Sequence, residues 1–171
     1  MFGCQQVLIE STPVLEFICS EANKLHNGAV YYARQRYFKT NSFVKPYDLN
    51  KELKRNPHYS ALCAQAAQQV CGAVGESVKS YKGLIKLLKK GEREHRPEFP
   101  NYRTKGELQV IAYPKQALGK KLVNGEFVIP LGQNVQAWFG LNLDGVSRGA
   151  LTRPTRIKLW VTAKKGGELW L

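Results

Sequence analysis

The apolar pattern of this chain changes period once, near Lys105, and that change limits the folds open to it. Between Pro13 and Lys90 apolar residues recur every three or four positions, the spacing of one face of a helix. After Lys105 the segments become short, rich in branched and aromatic residues, and separated by turn signals at Asn124-Gly125, Asp144-Gly145 and Gly166-Gly167. A helical block followed by short strands is the pattern of an α+β chain. The 171 residues, 43% of them hydrophobic, suffice for one domain with a real core or for two small lobes sharing one.

Within the helical block, Ser11 or Thr12 caps a first helix with Pro13 at its opening position. Leu15, Ile18, Ala22, Leu25, Ala29 and Tyr32 then carry one apolar face to about Lys39. Asp48 is expected to cap a short second helix, Leu49 to Lys54, stopped by Asn56-Pro57. The clearest helix runs from Ser60 to Lys90, with Val70, Val74, Val78, Tyr81, Ile85 and Leu88 on one face and Gly91 as its stop. Glu107 to Tyr113, Glu126 to Leu131, Val135 to Leu141 and Arg156 to Thr162 read as strands, a set that suits a small barrel. Gln5 to Glu10 reads as one more, and an isolated strand that short needs partners. The simplest topology pairs it with the strands beyond Lys105. Residues 1–12 then supply the first strand of the barrel, 13–95 a helical insertion and 96–171 the remainder.

Lys and Arg number 26 against 13 Asp and Glu, a net charge of +13 that favours nucleic acid or an anionic membrane surface as partner. The excess concentrates in Lys79, Lys82, Lys86, Lys89, Lys90, Arg93, Arg96, Arg103, Lys105, Lys115, Lys120 and Lys121. Only Glu92, Glu94, Glu98 and Glu107 oppose them within that span. Phe99, Tyr102 and Tyr113 lie among the cations, and such a mixture suits a strand whose phosphates need neutralising and whose bases can stack. The competing reading is a solvated surface. Lysines in the last turns of a helix also complement its negative end, which accounts for two or three of them but not for the charges beyond Gly91. Pro97 and Pro100 keep the Arg96–Gly106 segment out of a helix. There Phe99 is expected to be the buried anchor and Tyr102 the more exposed ring, able to stack on a base while Arg103 and Lys105 hold flanking phosphates.

Other chemistries find little support. Nothing approaches an apolar span of about 18 residues, and Met1 to Glu10 lacks the pattern of a signal peptide, so a soluble cytoplasmic protein with no membrane partner is expected. Cys4, Cys19, Cys63 and Cys71 stand far apart without a C-x-x-C pair, three of them in apolar surroundings typical of buried free thiols, so no zinc site is expected. His26, His58 and His95 lack a pattern such as H-E-x-x-H. No metal and no cofactor are assigned.

Several pieces then follow one another in an order more specific than any one of them. They are Asn23 and Tyr31-Tyr32 on the first helix, Tyr47-Asp48-Leu49-Asn50-Lys51-Glu52-Leu53-Lys54, Ala64-Gln65-Ala66-Ala67-Gln68-Gln69-Val70, Ser80-Tyr81, the Arg96–Gly106 segment, and Phe127-Val128-Ile129-Pro130-Leu131-Gly132. The stretch from Asn27 to Gly132 thereby resembles the N-terminal half of TnpB, the OrfB protein of bacterial insertion sequences, ancestral to type V CRISPR effectors. Arg156 to Leu171 is similar to the last hairpin before the catalytic domain of that family. The resemblance implies a helical recognition lobe inserted into a wedge-type, oligonucleotide-binding-like barrel. It also implies that the two hold a structured guide RNA and read a short motif beside a target DNA.

The family's ribonuclease-H-type domain and zinc-binding insert have no counterpart here, and its first catalytic aspartate is expected some residues beyond Leu171. A natural truncation, a subunit whose nuclease lies on another chain, and a cloned fragment all remain open. The family places DNA-reading side chains where Gln65, Gln68 and Gln69 stand. Glutamine can read adenine with two hydrogen bonds, but these three are equally read as good helix formers on a polar face. Asp144 superficially resembles a nuclease aspartate, yet it sits in an Asp-Gly turn and the only later acid is Glu168, too few carboxylates for two-metal hydrolysis. No catalytic residue is assigned. The alternatives are a stand-alone nucleic-acid-binding regulator or transposon accessory protein and, more remotely, a minimal nuclease using Asp144.

Overall fold

Capping and proline placement set where the helices begin. In the computed structural model, Thr12 is extended and its Oγ1 accepts the Leu15 N–H at 3.4 Å, and Pro13 then opens α1 (Pro13–Thr40). Asn41 ends it in the left-handed conformation, with φ 52° and its N–H returned to the Tyr37 carbonyl. The described residues are 8–9, 12–114, 116–117, 126–127, 130–139, 149–150, 159–163 and 169–170. Three further helices follow α1: α2 (Pro46–Leu53), α3 (Pro57–Ser60) and α4 (Ala64–Lys89). β1 (Leu8–Ile9) precedes α1, and after α4 come, in chain order, β2 (Ile111–Tyr113), β3 (Glu126–Phe127), α5 (Gln133–Trp138), β4 (Gly149–Ala150), β5 (Leu159–Ala163) and β6 (Leu169–Trp170).

Three helix boundaries differ from those expected, each for a local reason. Pro46, not Asp48, sets the start of α2, because a proline at the first helical position has no N–H to leave unsatisfied. Asn56-Pro57 does not merely stop a helix. Asn56 caps a new turn, α3, by accepting the His58 N–H at 2.9 Å. The long helix therefore begins at Ala64, after Cys63, rather than at Ser60. Its end is as expected: Gly91 takes φ 77°, its N–H bonds the Leu88 carbonyl at 3.1 Å, and the Glu92 N–H bonds that of Leu87 at 3.0 Å, the paired bonds that close a helix on glycine.

The strand expectations are met unevenly. β1 pairs antiparallel with β6, placing Leu8 opposite Trp170, and β6 pairs with β5, which pairs with β2, giving the order β1-β6-β5-β2. A strand before the helical block thus joins strands after it. β3 and β4 form a separate antiparallel pair. The protein is α+β, and among the described residues these strands do not close into a barrel. Of Glu107 to Tyr113 only Ile111–Tyr113 is strand, because the Gln109 N–H is donated to the Cys19 carbonyl on α1 at 3.1 Å. Val135 to Leu141, expected as a strand, begins instead within α5. Val135, Trp138 and Phe139 share its spacing of three and four, and Phe17 meets the Trp138 and Phe139 rings edge-on at 5.8 and 5.6 Å.

One core joins these elements. Leu15, Ile18, Leu25 and Val30 of α1, Leu49 of α2, and Val70, Val74 and Val78 of α4 are buried with Ile111, Tyr113 and Val135. α2 and α4 approach so closely that a Cβ on Gly75 would lie 2.8 Å from Pro46, while one on Gly132 would lie 2.6 Å from the Ala61 carbonyl oxygen. Burial raises the Cys71 thiol to about 12, and it raises the Cys63 thiol and Tyr113 phenol as well, so these groups stay neutral and act as core.

Candidate nucleic-acid interface

The Arg96–Gly106 segment is irregular, so its backbone groups need partners other than a ladder. Two asparagines one turn apart on α1 supply them. The buried Asn23 Nδ2 donates to the Glu107 carbonyl at 2.7 Å and to the Thr104 carbonyl at 3.1 Å. Asn27 grips Arg103 twice, accepting its N–H at 2.8 Å and donating to its carbonyl at 3.1 Å, and also donates to Asn23 Oδ1 at 3.1 Å. Gly106, at φ 84°, turns the chain just beyond. The loop is thus held extended along α1 by side chains that leave its own charged groups outward.

Its two rings divide as expected. Phe99 is 6% exposed and wedged into an aromatic cluster, stacked on Tyr37 at 5.5 Å and edge-on to Tyr81 at 4.9 Å, whereas Tyr102 is 45% exposed. The Arg34 guanidinium lies over both, 5.1 Å from the Tyr102 ring and 5.8 Å from that of Phe99, and its buried Nε has no hydrogen-bond partner among the described residues. Arg103 and Lys105 are exposed. Arg96 is exposed too but reaches the Tyr81 hydroxyl, tying the loop to α4. Burial and the adjacent Tyr37 hydroxyl push the Tyr81 phenol up, while Arg96 pulls against them.

Lysines from the end of α4 form an exposed stripe. Lys79, Lys82, Lys86, Lys89 and Lys90 are exposed on the last turns of α4, and Lys82 Nζ sits 5.6 Å from the Phe43 ring. Two of them have acid neighbours, Lys79 with Glu76 at 3.3 Å and Lys90 with Glu92 at 3.8 Å, exposed pairs worth little in water. Arg93 turns back on its own segment, its Nε donating to the His95 carbonyl at 2.8 Å. Lys115, Lys120 and Lys121 lie outside the described residues, as do Asp144 and the Gly166-Gly167 turn.

Gln65, Gln68 and Gln69 stand apart from this surface. At 1.5 Å per residue they lie about 20–30 Å along α4 from Lys82 and Lys86. Gln68 and Gln69 are exposed and Gln65 is half-buried, and Gln68 lies beside the Tyr59 hydroxyl.

Sequence reasoning assigned nothing to Arg34, to Asn27 or to a second polar cluster. In that cluster the buried Glu21 carboxylate meets Lys24 Nζ at 2.7 Å and His58 Nδ1 at 2.6 Å, joining α1 to α3. Burial pushes the carboxyl up, but the bonds and charges of Lys24 and His58 outweigh it and hold it below its usual range. His26, half-buried beneath the loop, has an Nδ1 without a partner among the described residues. Burial and the nearby Arg103 charge lower its pKa to about 4, so it is neutral at pH 7. The available signal was positional: Asn23, Asn27 and Arg34 fall along one side of α1 at the border of its apolar face.

Among the described residues no group of three His, Cys, Asp or Glu could hold a metal ion, and no helix is long and apolar enough to cross a membrane. No protein-family model matches the chain, and a comparison with curated proteins finds no matching relative.

Proposed function

We propose that this chain binds nucleic acid as the guide-RNA-holding and target-DNA-reading part of a TnpB-like RNA-guided nuclease, with the strands around β5 belonging to a wedge-type barrel and the helices to its recognition lobe. The observation that carries the reading is the clamped loop. Asn23 and Asn27 occupy its backbone, so Tyr102, Arg103 and Lys105 face solvent in a fixed arrangement and bind without ordering a flexible segment first. The α4 lysines continue the same positive charge, and Arg96 joins the two. Phosphates are held by this track, and in the full assembly Gln65 and Gln69 face the DNA motif from the other end of α4.

The test is competition. A structured RNA and a DNA duplex of equal length, titrated at matched salt, should separate in favour of the RNA, and sequencing of RNA that co-purifies with the chain should return one structured species rather than a random sample. Preference for duplex DNA would instead favour a stand-alone DNA-binding regulator.

A further inference from the structure

α1 buries its large aliphatic residues but leaves two rings in water: Tyr31 is 57% exposed and Phe38 67%. At about 100° per residue, Phe38 falls within roughly 20° of Tyr31, and Asn27 and Arg34 lie within roughly 40° and 60° on the same side. The two rings therefore border the loop that Asn27 grips and the Tyr102 ring that Arg34 backs. Phe38 also approaches Phe99 at 5.9 Å, which sets its ring beside the anchor of that loop. Along the axis Tyr31 and Phe38 are about 10 Å apart, roughly the rise of three stacked nucleotides.

Charge indicates what covers this strip. From Ala22 to Thr40 the helix carries Lys24, Arg34, Arg36 and Lys39 and no acid, and the adjoining loop adds exposed Arg103 and Lys105. Exposed Glu98 and Glu107 stand on the same loop, but the cations outnumber them, and rings bordered by that excess complement a polyanion with flat apolar faces. We infer that Tyr31 and Phe38, beside the Arg34-backed ring of Tyr102, form a stacking strip for the unpaired bases of a single strand. The inference rests on the nucleic-acid reading above and extends it: the cations hold phosphates in any form, whereas the strip selects bases free to leave a duplex.

The experiment compares the wild-type chain, Tyr31→Ala/Phe38→Ala and the conservative Tyr31→Phe/Phe38→Tyr. Each is titrated with a single-stranded oligonucleotide containing 2-aminopurine and with the corresponding duplex, across a salt series and alongside sedimentation. The wild type and the conservative pair should quench the 2-aminopurine. The alanine pair should lose the quenching and bind the single strand about tenfold more weakly or worse, with the salt slope, duplex affinity and melting temperature unchanged. Unchanged single-strand affinity in the alanine pair, with a steep salt slope intact, overturns the strip alone. Loss of self-association with unchanged single-strand affinity overturns it in favour of a contact between copies. Salt-independent binding by the wild type overturns the nucleic-acid reading beneath it.

Discussion

Two residues show how tightly single positions are determined. Gly75 exists where α4 meets Pro46, and a methyl group there would have to displace the proline ring from 2.8 Å. Gly75→Ala should therefore destabilise the chain by about 1–3 kcal/mol despite the better helix propensity of alanine, read as a lower urea midpoint. His26 makes stability depend on pH. Its folded pKa of about 4 lies below the ordinary 6.5, so as pH falls the unfolded imidazole takes a proton that the folded one refuses. Stability is intact above pH 6.5 and is lost progressively between 6.5 and about 4. Glu21 adds to the loss only lower, because its depressed carboxyl favours the fold above its usual value of 4.5 and stops doing so as pH falls through its folded pKa. The melting temperature of the wild type should thus fall relative to that of His26→Gln as pH drops from 7 to 4. A constant separation would show that His26 does not titrate in this window.

At the scale of elements, the loop and the lysine stripe behave as separable units. Asn27→Ala removes both bonds to Arg103, and amide exchange at Arg103 should speed up while that of core residues such as Val74 is unchanged. Replacing Lys82, Lys86 and Lys89 by alanine should flatten the salt dependence of RNA binding by about two units and leave the melting temperature within a few degrees, because exposed helix lysines contribute little to stability. Long elements were readable in advance and short ones only in part. Thirteen to forty was legible because many turns repeat one apolar period, and Gly91 because a helix stop on glycine is a local event. Val135, Trp138 and Phe139 were misread because so short an apolar run has no decisive period, and the packing of Trp138 and Phe139 on Phe17 settles the matter from a distance. The same distance hid Arg34. Phe99 and Tyr102 could be divided into buried and exposed from their own segment, but the guanidinium that lies over both comes from α1, far away along the chain.

For the whole molecule, β1 and β6 pair residues 8–9 with residues 169–170, and the helices and the loop after α4, which lie between them in the chain, carry the charged surface. A short strand before the helices and several after them was enough to foresee that pairing, since a short isolated strand needs partners. The order of the sheet was not legible, because strand partners depend on contacts that no local pattern encodes. The central claim is that the cations of α4 and the clamped loop form one phosphate-binding track rather than a solvated face. The most direct test is the affinity of the full chain for single-stranded RNA over a salt series. If about six to eight phosphates are neutralised, log affinity should fall with log salt at a slope of roughly −4 to −6. A slope near zero would contradict the account.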